Sequence, residues 1–376
     1  MRSDQQVYYK GKRKRLNVLA IVAFSIALLI LVLLLSFYSL QKYIVYGHDG
    51  VKLELPILKQ ETHVDASGEV TEFAPVDAEL SVKEPNYAEI PAVAGENLAP
   101  LKVLYVPAEF MTTEGLEKYK SIMPMYGATG LILDVKPNSG YLFWQSNCAV
   151  ATGFLTNGSG DLAAIVKSLK DEGIYVGARL SCCLDSRLAD MAPSTVLRTA
   201  GGGLLTNAEG MWLDPYNSTV RTYIIELCEE LAKFGVDEVF LDNVRIPVTD
   251  TGVGYTVSLS FQPTPKSAVC SFALYVTRAL KNSGLKISAI LSEETLHTSN
   301  ADVTGQYTPL FGKVFDRLTC PANSAWQYNF DRDNLSASFE KGNVADRYPA
   351  LMNFYPPEAS SWIILVPEAL TNPPKT

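Results

Sequence analysis

The chain has 376 residues, of which 47% are hydrophobic and 19% are charged, and its formal net charge is -8 at pH 7. This composition is that of a globular protein, and its acidic balance argues against a nucleic-acid-binding surface. Six cysteines are too few for a disulfide scaffold, and since none forms a Cys-x-x-Cys pair, no metal site is expected. We expect them to pack as small hydrophobes, with a disulfide from Cys148 to Cys182 or Cys183 as the alternative.

The N-terminal segment predicts a membrane anchor. Residues 16–41 contain no charged side chain, and about 20 apolar residues suffice for a helix to cross a bilayer. Six basic residues and one acid lie in residues 1–15, which predicts a cytoplasmic tail, one transmembrane helix over 16–41 and an extracellular remainder at the cell membrane. A cleaved signal peptide is the alternative, although its apolar core would be shorter, about 7–15 residues. The lipid bilayer is thus an expected partner.

Residues 42–98 predict an extracellular stalk. Between Gly47 and Leu98 there are eleven acids, three bases and four prolines. Repelling charges and prolines favour an extended linker that holds a domain away from the bilayer. The alternative is an irregular wrap of this segment on the following domain, with residues 51–55 as an edge strand.

Residues 99–376 alternate short runs rich in β-branched residues with amphipathic stretches. The six clearest runs are 101–106, 130–135, 174–180, 238–244, 285–290 and 317–320, and two later segments, ALMNFYPP and SWIILVPEAL, supply strands seven and eight. Helices are expected to start near Thr112 or Thr113 and at Asp161, and to end at Gly173, Gly235 and Gly284. This rhythm predicts an α/β fold, a (β/α)8 barrel of TIM type. An open doubly wound sheet is the alternative, but the chain has neither a glycine-rich dinucleotide fingerprint nor a P-loop, and we expect no cofactor.

Polar and aromatic residues gather at the predicted strand ends, where barrels of this kind carry their active sites. The polar ones are Asp134 and Lys136 after strand two, Arg179 after strand three, Asp242, Asn243 and Arg245 after strand four, Glu293 and Glu294 after strand five, and Asp214 at the start of a helix; the aromatic ones are Trp144, Trp212 and Tyr216.

Paired carboxylates beside aromatic rings suit glycoside hydrolysis, in which one carboxyl protonates the leaving oxygen and the other stabilises or attacks the anomeric carbon. The rings would stack on sugar faces, and the charged groups would bind hydroxyls. Structural roles are the alternative for several of them. Asp242 could pair with Arg245 or Arg179, Asp214 could cap a helix, and the tryptophans could belong to the core.

Two long motifs resemble one protein family. Trp212-Leu-Asp214-Pro215-Tyr216-Asn217, followed by Asp237-Glu238-Val-Phe-Leu-Asp242-Asn243-Val-Arg245-Ile-Pro247, is similar to segments of the GHL-type glycoside hydrolases, a family of bacterial TIM-barrel proteins once listed as a domain of unknown function. Shorter matches are Leu133-Asp134-Val135-Lys136 with Gly140, Gly173 to Val176 with Arg179, and Gly305-Gln306.

The resemblance implies a barrel that hydrolyses a glycosidic bond in a polysaccharide. At the level of the fold it is related to α-amylase-like hydrolases, whose nucleophilic Asp ends strand four and whose acid ends strand five. It therefore implies Asp242 as the nucleophile and Glu293 or Glu294 as the acid/base. Two departures stand out: Asn243 replaces the usual Tyr, and the segment after strand six reads Cys320-Pro-Ala-Asn-Ser in place of Pro-Met-x-Tyr-Pro-Ser.

Together these observations predict a membrane-anchored extracellular glycoside hydrolase that acts on a polysaccharide or cell-wall glycan. A catalytically inactive barrel that binds carbohydrate or serves as a surface scaffold is the first alternative. A tethered interaction protein without a sugar site is the second.

Overall fold

The computed structural model describes residues 26, 28–32, 44–47, 50–53, 85–151, 161–249, 252–256, 263–297, 301–353 and 359–365. The chain divides into two compact units, Met1–Ser81 and Val82–Thr376. In the first unit, Ile44–Gly47 and Gly50–Leu53 form an antiparallel hairpin. The predicted transmembrane run over 16–41 lies mostly outside the described residues. Within the described part of the chain, none of the helices has both the length and the hydropathy that a bilayer crossing requires.

Nine parallel strands of the second unit form a single sheet. They are β1 (Lys102–Val106), β2 (Gly130–Lys136), β3 (Tyr175–Ser181), β4 (Glu238–Asp242), β5 (Lys286–Ile290), β6 (Leu318–Thr319), β7 (Pro321–Ala322), β8 (Ala350–Met352) and β9 (Trp362–Leu365). Their spatial order is β6-β5-β4-β3-β2-β1-β9-β8-β7. The two end strands are separated only by Cys320, so the sheet returns to its own start. This nearly closed barrel confirms the predicted TIM-type fold over the open sheet.

Helices connect the strands and cover the outside of the barrel. They are α1 (Thr113–Tyr126), α2 (Leu162–Asp171), α3 (Ser186–Met191), α4 (Ser218–Phe234), α5 (Pro265–Ala279), α6 (Glu293–His297), α7 (Ala301–Thr304), α8 (Thr308–Val314), α9 (Ala325–Ser336) and α10 (Val344–Arg347). Thr112, Asp161 and Asn217 cap α1, α2 and α4 through their side-chain oxygens. Gly235 ends α4 with a φ of 92°, which only glycine adopts at low cost.

Side chains that point into the barrel lie in three layers. At the floor, Glu238 accepts hydrogen bonds from the Tyr175 hydroxyl at 2.6 Å, from Arg317 Nη1 at 2.5 Å and from Ser288. The upper layer is also polar and carries the candidate site. Between them lies a small apolar cluster of Leu101, Val103, Ile132, Phe240, Ile290 and Ile363. The apolar middle layer separates the two charged networks.

The second compact unit begins before the predicted boundary at residue 99. Val93 and Ala94 donate their backbone N–H groups to the carbonyl of Lys313, at 2.9 and 3.2 Å. The Lys313 amine donates in return to the carbonyls of Ala88 and Ile90, at 2.9 and 3.1 Å. Residues 85–98 therefore wrap on the barrel, as the alternative interpretation had it, instead of extending from it as part of a stalk over 42–98.

All six cysteines are buried, and none of them forms a disulfide. Burial raises the pKa of Cys148, Cys183 and Cys228 to about 12, which keeps these groups protonated at neutral pH. The cysteines thus pack as small hydrophobes, and the alternative of a disulfide from Cys148 to Cys182 or Cys183 is not formed.

Candidate active site

Arg179 joins two acidic side chains at the mouth of the barrel. Its Nη1 donates to Asp134 Oδ1 at 3.1 Å, and its Nε and Nη2 both donate to Asp242 Oδ2, at 3.0 and 2.5 Å. Nη2 also donates to Asn138 Oδ1 at 2.6 Å. These residues meet because β2, β3 and β4 are neighbours and each turns its C-terminal side chain inward. The strand-end prediction required this convergence, whereas the roles of the three residues in substrate binding or catalysis stay predictions.

The backbone after β4 orients the Asp242 carboxylate. Asn243 has a φ of 52°, in the left-handed region, and its N–H donates to Asp242 Oδ1 at 2.7 Å. The Asn243 amide nitrogen donates to Asn138 Oδ1 at 3.1 Å and to Ser181 Oγ at 3.0 Å. Both oxygens of Asp242 are thus held by donors, and its side chain is still 23% exposed, against 8% for Arg179. Asp242 is the acid of this group that a ligand in the mouth can reach.

Burial governs the ionisation of the inner residues. It raises the pKa of Asp134, and the charge of Arg179 and the hydrogen bond from the Tyr105 hydroxyl only partly offset this effect. Burial also raises the pKa of Tyr105, which therefore remains a hydrogen-bond donor. For Arg179, burial lowers the pKa, but Asp242 and Asp134 outweigh it and raise that pKa above its usual value. The guanidinium thus stays charged between the two acids.

Glu293 and Glu294 lie on a neighbouring part of the rim. They open α6, three and four residues past the end of β5, with Glu293 half-buried and Glu294 exposed. Burial raises the pKa of the Cys320 thiol, and the charges of Asp331 and of these two glutamates raise it further. Among the described residues, neither glutamate is a hydrogen-bond partner of Arg179.

Lys136 is not brought to this group. It is fully buried, its amine pairs with Asp185 Oδ2 at 2.7 Å and donates to the Ser181 carbonyl at 2.5 Å, and it lies 5.4 Å from the ring centre of Tyr223 on α4. The β2–β3 register shifts between Asp134 and Lys136, so the two residues face opposite sides of the sheet despite their even spacing. Its predicted contact with substrate would require an exposed side chain, and the structure places it between sheet and helices instead.

Trp144 is likewise directed away from the mouth. Its indole nitrogen donates to Glu230 Oε2 on α4 at 2.6 Å, and its ring packs edge-on against Phe234. At 3% exposure it belongs to the layer between sheet and helices, where it cannot stack on a sugar.

The other predicted residues form a second group, with Trp212, Asp214 and Tyr216 in the loop before α4 and Arg245 after β4. The Arg245 guanidinium lies 4.6 Å from the Trp212 ring centre and pairs with Glu209 at 3.0 Å. Asp214 is fully buried and accepts hydrogen bonds from the Tyr216 N–H and, with its other oxygen, from Thr256. Tyr216 is half-buried under the Arg221 guanidinium at 4.8 Å. Asp214 therefore ties two rim loops together, and the helix cap expected as its structural role is supplied by Asn217 instead.

Arg179, Asp134, Asp242 and Asn243, with the side chains that hydrogen-bond to them, form the Arg179 group. Three of its members were missed by the analysis of strand ends. They are Tyr105, Asn138 and Ser181. Tyr105 alternates with Val103 on the inward face of β1, and this period-2 pattern could have marked it. Asn138 lies in a Pro-Asn-Ser-Gly turn directly after β2, which is also a recognisable signal. Ser181 has no signal beyond its position two residues after Arg179. Within the described residues, no cluster of His, Cys, Asp or Glu forms a metal site.

The family assignment rests on a direct match. Residues 103–330 match a family model described as "Putative glycosyl hydrolase domain". The chain belongs to this family. The match covers β1 to β7, and hence the whole Arg179 group. None of the curated proteins compared with the chain matches it significantly.

Solved structures with the same barrel include several glycoside hydrolases. The glycoside hydrolase domain of PgaB (BpsB) from Bordetella bronchiseptica aligns over 74% of this chain and 96% of its own length, with 14% identity and a TM-score of 0.52. A hypothetical protein from Ruminiclostridium thermocellum aligns over 50% of this chain and 96% of its own, with 23% identity and a TM-score of 0.42. At 14% identity, the likeness to the PgaB domain shows a shared fold alone.

Proposed function

We propose that the barrel is a glycoside hydrolase that cleaves a polysaccharide or cell-wall glycan, with Asp242 as the carboxylate that acts on the anomeric carbon. The main support is the double hydrogen bond from Arg179 to Asp242 Oδ2 at the mouth of the barrel, at 3.0 and 2.5 Å. A carboxylate fixed in direction by two donors can attack or stabilise an oxocarbenium-like centre. Asp134 and Asn138 hold the guanidinium from its other side, so they act as positioning residues.

Glu293 is the proton donor in this proposal. It lies one strand along from Asp242, at the half-buried start of α6. Glu293 protonates the glycosidic oxygen, and the leaving sugar departs with the electrons of the broken bond. Water then adds to the anomeric carbon and returns a proton to Glu293. Asp134 is the alternative donor, because it shares the Arg179 guanidinium with Asp242 and burial raises its pKa.

Turnover of a glycan panel by wild type and by Asp242→Asn tests the role of Asp242. We expect the kcat of the variant to fall by about 10²–10⁴-fold, while its circular dichroism spectrum and Tm stay native. Asp171→Asn, an exposed acid on α2, is the matched control for removal of one carboxylate and should keep full turnover. Full activity of Asp242→Asn on a glycan that wild type cleaves would remove Asp242 from the mechanism.

Three further variants assign the proton donor. Glu293→Gln should lose activity, whereas Glu294→Gln, its exposed neighbour on the same turn, should retain it. Loss in Asp134→Asn, measured with a substrate whose leaving group needs no protonation, would mark a positioning role, because a proton donor is dispensable there. Binding without hydrolysis by wild type would favour the inactive carbohydrate-binding barrel.

We also propose that the chain is a single-pass membrane protein with its N-terminus in the cytoplasm and the barrel outside the cell. The support is the charge-free run over 16–41 and the basic residues that precede it. In cells that express the full chain, alkaline carbonate extraction should leave the protein in the membrane fraction, and protease added outside should remove the barrel. Protection of the barrel from external protease would contradict this topology.

A further inference from the structure

An exposed pair of aromatic rings lies on α9, outside the Arg179 group. Trp326 is 72% exposed and Phe330 is 43% exposed, and their ring centres are 5.2 Å apart with planes only 14° from parallel. The pair is one helical turn apart, so each ring limits the rotation of the other. The opposite face of α9 is anchored by Tyr328, which stacks on Tyr348. Trp326 and Phe330 therefore face solvent, although α9 also has a buried face.

The start of α9 is fixed to the catalytic rim. Ser324 Oγ accepts a hydrogen bond from the Gln327 N–H at 3.1 Å, and Gln327 Oε1 accepts one from the Asn323 N–H at 3.0 Å. Gln327 also donates to the carbonyl of Pro321 in β7 at 3.2 Å. These bonds resemble a capping box and hold the first turn of the helix against the C-terminal end of the strand. Trp326 is thus presented on the same rim as Asp242 by a rigid support.

The surroundings of the pair select a neutral ligand. No residue between Leu318 and Phe330 is charged, and the exposed polar neighbours there are Asn323, Ser324 and Asn329. The exposed acid one turn further along α9, Asp333, is paired with Arg332 at 3.1 Å, so the two charges offset each other. Rings flanked by amides match a sugar, whose C–H face stacks on the ring while its hydroxyls bind amide groups. A polyanion or an anionic lipid surface would need basic residues here.

We propose that Trp326, supported by Phe330, is a glycan-binding subsite, at which a neutral polysaccharide chain leaving the barrel mouth stacks on the indole. The choice of ligand class rests on the proposed function. The subsite lies beyond the reacting sugar, so it serves long chains and contributes nothing to the cleavage of short ones.

Tryptophan fluorescence can report this contact directly. The chain has four tryptophans, and Trp144, Trp212 and Trp362 are at most 3% exposed, so a quencher in solution reaches essentially Trp326 alone. The full chain carrying Asp242→Asn is titrated with a soluble β-glucan, a soluble α-glucan and chitin oligosaccharides, and quenching by acrylamide is measured. At least one polymer should protect the accessible fraction, and Trp326→Phe should abolish the protected signal.

Affinity and turnover then separate this subsite from the proposed function. In the Asp242→Asn background, Trp326→Ala should weaken polymer binding roughly 3- to 10-fold, and Trp326→Tyr should restore most of it. Met125→Ala, the control, changes a 46% exposed apolar residue at the C-terminal end of α1 and should bind normally. With Asp242 intact, Trp326→Ala should raise KM for polymers and leave short substrates unchanged. Protection by no polymer, unaltered binding by Trp326→Ala, or a shift of that variant to a smaller oligomer would overturn the subsite, even where wild type hydrolyses glycans.

Discussion

Asn243 shows how one backbone angle supports the candidate site. Its φ of 52° carries a steric cost of about 1 kcal/mol for residues with a Cβ, which glycine avoids. Asn243→Ala and Asn243→Gly both lose the side-chain hydrogen bonds to Asn138 and Ser181, so each serves as the control of the other. We expect the alanine variant to be less stable than the glycine variant by about 1 kcal/mol in urea unfolding. An alanine variant as stable as the glycine variant would contradict the strain.

Asp134 predicts a pH dependence of stability. Its pKa is raised in the folded state, so the folded protein retains this proton at pH values where the unfolded chain has lost it. The contribution of Asp134 to stability is therefore present at acid pH and is lost as the pH rises through its folded pKa. Asp134→Asn cannot ionise, so the free energy of unfolding of the variant minus that of wild type should increase from acid to neutral pH. Urea unfolding at several pH values measures this difference, and a decrease would refute the raised pKa.

Single residues also show what the sequence could predict about the site. Asp134, Arg179 and Asp242 follow from the rule that parallel strands place their C-terminal side chains on one rim. The same rule also predicts Lys136 on the rim, but the register shift after Asp134 turns its side chain to the other face of the sheet. A shift of this kind cannot be recognised from the residue types. The packing of Trp144 on Glu230 joins segments 86 residues apart, so no local pattern reveals it.

At the scale of secondary structure, β3 and β4 fit together through a missing side chain. A Cβ on Gly177 would lie 2.9 Å from Ile132 Cγ1 and 3.2 Å from a ring carbon of Phe240. Gly177→Ala should therefore destabilise the fold by about 1–3 kcal/mol, and it should lower activity because Phe240 lies two residues before Asp242. Gly252→Ala is the control, since a Cβ there meets nothing within 4 Å. Thermal unfolding of both variants tests this fit, and equal Tm values would show that β4 can shift at little cost.

Strands and helices were predictable to the extent that local sequence determines them. The buried strands are short apolar runs, and α1 and α2 begin at the predicted caps Thr112 and Asp161, whereas α4 is capped by Asn217 and not by Asp214. The run over 317–320 was expected as one strand, but in the structure β6 covers only Leu318–Thr319, and β7 follows after Cys320 at Pro321–Ala322. The long segment before α4 was harder, because its short bridges depend on the contacts of Trp212 and Asp214 with distant loops.

For the whole molecule, the segment over 85–98 decides where the folded domain begins. Composition predicted a stalk up to residue 98 because acids and prolines dominate the average, and an average conceals the few residues that pack. Tyr87, Ala92 and Ala94 are buried, and Gly95 donates its N–H to Asp316 Oδ1 at 3.1 Å. The packing therefore extends the barrel domain back towards Val82.

Two truncated chains test this boundary. A chain that starts at Val82 keeps every contact of residues 85–98. A chain that starts at Ala99 lacks the carbonyls of Ala88 and Ile90, to which the amine of Lys313 donates, and Lys313 is only 6% exposed in the intact structure. Each hydrogen bond from a charged group is worth about 1.5–3 kcal/mol, so the shorter chain should unfold roughly 5–10 °C lower. Calorimetry of both proteins measures the difference. Lys313→Met should narrow that gap, because a methionine has no hydrogen bonds to lose when the segment is removed. Equal Tm values for the two chains would show that residues 85–98 belong to the linker. A Tm difference that Lys313→Met leaves unchanged would show that apolar burial around Tyr87 supplies the stabilisation.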